Sequence, residues 1–133
     1  MKTTVILTLA LALLAWCAPA QAESYKYDQP VTLEGTLVAK NSDPKVTICD
    51  ITHPYLVLQL AEPLDAVCFP WEKTDCIKEN GIGELHLLLS DSQQAQYRKL
   101  KGKKVKVSGV LHHAETSHHF TEVVLEVKDI QKK

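Results

Sequence analysis

The chain has 133 residues, with 15 Lys and Arg against 16 Asp and Glu, a formal charge of −1. One domain of ordinary size is expected rather than a multidomain enzyme. The absence of net basicity removes the usual electrostatic basis for holding a nucleic-acid backbone.

The first 22 residues carry a single charge, Lys2, then the apolar run Val5 to Ala15, then Ala20-Gln21-Ala22 ahead of Glu23. This is the pattern of a secretory leader with an A-x-A cleavage site. A membrane-spanning helix needs about 20 predominantly apolar residues, and Pro19 and Gln21 interrupt a shorter run. Cys17 raises the possibility of a lipoprotein, against which stands the bulky Trp16 before it. The expected product is therefore a free periplasmic or secreted domain, residues 23–133, cut after Ala22, with no stable membrane insertion. It would keep 14 basic and 16 acidic groups and three cysteines, Cys49, Cys68 and Cys76. An oxidising compartment favours one disulfide among them.

In chain order, Val31, Leu33, Leu37 and Ala39 alternate with Thr32, Glu34, Thr36 and Lys40, the two-residue period of a half-buried strand. Gly35 interrupts the apolar row, where it would let a long strand coil or bulge. Residues 41–54, with Asp43-Pro44 and His53-Pro54, read as a loop. A second strand, Tyr55 to Ala61, has leucines on one face and Tyr55, Val57 and Gln59 on the other, so both faces look partly covered. A long connection holding Cys68 and Cys76 leads to a third strand, Glu84 to Leu89.

Ser90-Asp91-Ser92-Gln93 matches a capping box, so a short helix is expected to run to Leu100 or Lys101, with Gly102 closing it. A fourth strand, Lys103 to His113, contains Gly109, and a fifth runs from His118 to Ile130. The order of three strands, a short helix and two strands is that of an OB-fold, a mainly β, five-stranded, partly open Greek-key barrel. The helix would plug one open end.

Cys68 and Cys76 flank the connection between two strands expected to be neighbours. Cys49 precedes the second strand, whose seven residues separate its ends by about 23 Å, beyond the roughly 7 Å Cα limit for a disulfide. Pairing of Cys68 with Cys76 is expected. Cys49 would be left as a buried thiol, a dimer contact or a ligand.

Four of the six histidines fall in His112-His113-Ala114-Glu115-Thr116-Ser117-His118-His119. A tight hairpin about 114–117 would set His113 opposite His118 and His112 opposite His119, one pair on each face of the sheet. Two imidazoles begin a Zn²⁺ or Cu²⁺ site. His113 and His118 would need Glu115 of the turn, or His53 or Asp50 of a folded-over loop, to complete it. The competing role is structural, the rings bonding the turn backbone and Thr116, Ser117 or Thr121. Residues 98–106 hold six basic groups and no acid, either an ordinary solvated face or an anion-binding patch. No aromatics are interleaved there, which argues against a single-stranded nucleic-acid partner.

The stretch Leu85 to Val127 resembles an exported bacterial family catalogued as domain of unknown function 4431. The resemblance rests on Leu85-His86-Leu87-Leu88-Leu89, Tyr97-Arg98, Gly102, Val107-Ser108-Gly109 and Ala114 to Leu125. That family's signature is close to A-x-T-G-H-H-H-T-P-V-L-L. In this chain Ser117 replaces the glycine, Phe120 the third histidine and Glu122 the proline. The resemblance implies export and the fold, and brings no activity.

The sequence contains no evident catalytic triad, paired-carboxylate motif or phosphate-cradling glycine loop. The expectation is a non-enzymatic binding module without a required cofactor. It would meet an envelope protein or glycan through the 41–54 loop and the histidine hairpin, with His53, His112, His113, His118, His119, Thr116 and Thr121 as its contact residues. The alternative is a zinc- or copper-binding accessory protein.

Overall fold

The computed structural model describes residues 25–41, 54–65, 67–68, 80–116 and 119–133. Five strands, β1 (Pro30–Lys40), β2 (Tyr55–Leu64), β3 (Ile82–Leu88), β4 (Lys104–His113) and β5 (Val123–Lys132), close into a barrel in the order β1-β2-β3-β5-β4. Every neighbouring pair is antiparallel except β3 and β5. This is the Greek-key order expected of an OB-like barrel. It is fully closed rather than partly open, because β3 and β5 bond in parallel from His86 and Val124 to Leu88 and Glu126.

Alternation does most of the building. Leu33, Leu37, Leu58, Leu85, Leu87, Val105, Val107, Leu111 and Leu125 point inward and form the buried core. The first strand pairs with β4 from Pro30 to Thr36 and with β2 from Gly35 to Lys40. Gly35 stands where the two pairings overlap. A Cβ built there would lie 2.1 Å from the Gln59 carbonyl oxygen, and one on Gly109 would lie 2.2 Å from that of Glu126. Both glycines are therefore demanded by close backbone approach.

The capping box forms as expected. Ser90 Oγ accepts from Gln93 N–H, and the Gln93 side chain accepts from Ser90 N–H. The helix α1 (Asp91–Tyr97) continues as a 3₁₀ turn, Arg98–Leu100. Gly102, with φ +79°, turns the chain back into β4. Tyr97 is buried in the core cluster, so the helix plugs one barrel end. Tyr27 and Val67 join the same cluster from the segments beyond the strands.

Two expectations are corrected. β2 runs past Ala61 to Leu64, accommodating Pro63 through a register shift against β3. More consequentially, β5 begins at Val123, not His118. His113 lies opposite Val123 and His112 opposite Val124, so neither the His113–His118 nor the His112–His119 pairing exists. The ladder ends with Ala114 N–H bonding the Glu122 carbonyl. His119, Phe120 and Thr121 instead contact His86 of β3, so they do not extend the hairpin. Cys68 is disulfide-bonded, whereas Cys49 and Cys76 lie outside the described residues.

Candidate functional site

The outward row of the barrel is unusual for a surface wall. Reading across the strands, Val38, Val57, His86, Val124 and His112 stand side by side. Val57 and Val124 are completely buried and His86 is 8% exposed, although all three point away from the core. A wall of this kind needs a cover, since free water contact would leave apolar side chains on display.

The connection between β4 and β5 supplies that cover. Phe120 stacks on Tyr55 at 4.1 Å between ring centroids, and both rings lie 5.1 Å from the His86 imidazole. His119 approaches His86 edge-on at 6.4 Å. Three polar contacts fix the connection over the wall. The His86 N–H donates to Thr121 Oγ1 at 2.8 Å, and that hydroxyl donates to the Val123 carbonyl at 2.5 Å. The Phe120 N–H in turn donates to His86 Nδ1 at 3.4 Å, which puts the ring proton on Nε2. Burial, with the neighbouring His119 adding to it, pushes the His86 pKa down to about 4, so His86 is neutral at physiological pH.

The other imidazoles among the described residues are also engaged. His119 Nδ1 accepts from the Glu115 N–H, and the His119 N–H closes a turn onto the Thr116 carbonyl. His113 is exposed on the opposite face of β4 from His112. Its Nδ1 donates to the Ala114 carbonyl, and its ring meets Tyr27 edge-on at 5.9 Å.

His112 lies between two carboxylates, Nδ1 3.0 Å from Asp28 and Nε2 2.8 Å from Glu126. Asp28 reaches this position from a left-handed backbone conformation, φ +60°, and its N–H bonds the Leu111 carbonyl. The pairs are substantially exposed and worth little individually. They clip the segment before β1 to the wall.

Of the residues expected at the site, His112, His119, Thr116 and Thr121 therefore gather on or beside one wall, with His113 turned to the other face. Glu115 is exposed in the same connection. His53, His118 and Asp50 lie outside the described residues. Among the described residues no group of three His, Cys, Asp or Glu side chains could hold a metal ion. Tyr55, His86 and Phe120, the centre of the cluster, were not expected there. Their signal was present in the outward positions of the second and fifth strands, where Val57 and Val124 are as apolar as the inward row.

Residues 84–131 match the family described as "Domain of unknown function (DUF4431)". The match spans β3 to β5 and thus includes the covered wall and its connection. No curated protein and no solved structure matches the chain.

Proposed function

We propose that this chain is an exported, non-enzymatic binding module of the periplasm, recognising a protein or glycan ligand with the wall of β2, β3 and β5. Its contact surface is the β4–β5 connection, together with the 41–54 loop. The observation that carries this reading is the half-exposed Phe120–Tyr55 stack over the buried His86. In OB-like barrels the face of strands two and three, bordered by the loops after strands one and four, is the habitual ligand surface. Aromatic rings held in place by packing also present contact area at small entropic cost. Histidines and threonines beside them supply donors and acceptors for orientation.

The test is to screen the purified protein against a glycan array and against envelope extract, then to compare it with Phe120→Ala and with Asp129→Ala on the exposed part of β5. A saturable ligand lost on Phe120→Ala and kept on Asp129→Ala supports the reading. Equal binding by all three proteins overturns it.

A further inference from the structure

A second surface adjoins the start of β2, where Ala39 and Lys40 pair with Leu56 and Tyr55. From the 3₁₀ turn into β4 the chain presents Arg98, Lys99, Lys101, Lys103 and Lys104, all exposed and with no acid among them. Backbone bonds hold this run against the barrel, Gly102 N–H to the Leu37 carbonyl and Leu37 N–H to that of Lys103. The end of β5 adds Lys132, which lies opposite Val105. Among the described residues, the ion pairs on the adjoining wall are those of Glu34 with Lys106 and Lys133 and of Lys40 with Glu84. None of them neutralises the five cations of the run.

Within this basic rim is a hollow of about 110 Å³, lined by Ala39, Pro54, Leu56, Arg98 and Lys101. Its floor is aliphatic and its mouth is cationic. The whole chain is nearly neutral, whereas residues 98–104 carry five exposed cations and no acid. Asp28 and Glu126 flank His112 towards the other end of β4, about 26 Å from Lys104 along the strand.

We infer that this basic end is a docking surface for an anionic lipid bilayer. Phosphodiester headgroups would meet Arg98 and the lysines, and the first apolar carbons behind one headgroup would enter the hollow. A guanidinium suits phosphate because its N–H groups form a planar fork. Clusters of four to eight basic residues attract anionic lipid surfaces with about 1 kcal/mol per residue, about fivefold in partitioning. The aliphatic floor distinguishes this surface from a glycan site. Tyr97, the aromatic residue of the adjacent helix, is buried in the core and presents no stacking face.

The purified protein is to be sedimented with vesicles of phosphatidylglycerol and phosphatidylcholine in equal parts, and with phosphatidylcholine alone. Binding is expected to the first only, weakening as salt rises. Arg98→Ala with Lys101→Ala should lower it about 30-fold, while Lys128→Ala in the middle of β5 should not, with circular dichroism confirming that each variant is folded. Octyl phosphate should compete more strongly than inorganic phosphate, since it alone fills the hollow. No binding to the anionic vesicles, or binding indifferent to the double substitution, overturns the inference. So does heparin bound more tightly than vesicles at equal salt, or equal competition by the two phosphates.

Discussion

Phe120 lies nearly parallel to Tyr55, their planes 22° apart and their centroids 4.1 Å apart, joining the β4–β5 connection to the start of β2 across the intervening β3. Beneath the pair sits an imidazole that has left water without entering the barrel core. This arrangement makes the outer wall a second, smaller packed layer, and the following expectations come from it and from the barrel that carries it.

Phe120→Ala removes the stack and exposes His86. A stacked pair contributes about 0.5–1.5 kcal/mol beyond its buried area, so with lost apolar contact the expected loss is about 2 kcal/mol. Urea unfolding measures it. Amide exchange at His86 and Phe120 should accelerate more than exchange in the β1–β4 ladder, because the connection opens locally. Uniform acceleration through the barrel would mean that the connection is not a separable cover.

His86 should make stability depend on pH in a defined window. Its pKa is about 4 in the folded chain against 6.5 unfolded. Between these values the unfolded chain takes up the proton first, so stability is full above pH 6.5 and falls as the pH drops towards 4. The total change from this group is about 3 kcal/mol. Below that window it adds nothing further. Denaturant titrations across the range should show the slope, and His86→Phe should flatten it. An unchanged slope in the variant would place the proton uptake elsewhere.

Gly35→Ala and Gly109→Ala should each be severely destabilising. The added methyl meets a backbone carbonyl at a distance that no side-chain rotation relieves. The strands must part, at an expected cost of about 3 kcal/mol or more. Gly83→Ala is the matched control, since nothing lies within 4 Å of its Cβ position. Thermal unfolding should separate the two classes, and similar melting temperatures would contradict the close strand approach.

Ser90→Ala should cost about 1 kcal/mol by removing the helix cap. Ser92→Ala, whose hydroxyl touches Ser90 Oγ without capping the backbone, should cost less. Equilibrium unfolding compares them directly.

The barrel was legible in the sequence because two local signals agree with its topology. The two-residue apolar period marks the strands, and Ser90 with Gln93 marks the helix between the third and fourth. Gly35 and Gly109 also stand where strands crowd or shift register. The hairpin was misread for a physical reason. Four histidines in eight residues suggest opposed pairs, but pairing is decided by where the ladder stops, and it stops at Ala114 and Glu122. Thr121 then serves His86, some 35 residues earlier in the chain, a long-range contact that no local pattern encodes. The covered wall was half visible, in the apolar residues on both faces of two strands. What covers them depended on the path of the connection.

Recognition through the covered wall is tested most directly by placing a photoreactive benzoylphenylalanine at position 120 and, separately, at position 129, and irradiating each protein in envelope extract or with glycans from the array. A single discrete adduct from position 120, absent from position 129 and suppressed by excess unlabelled protein, is the expected result. Equal adducts from both positions, or none from position 120 while the protein still binds its ligand, would contradict the account.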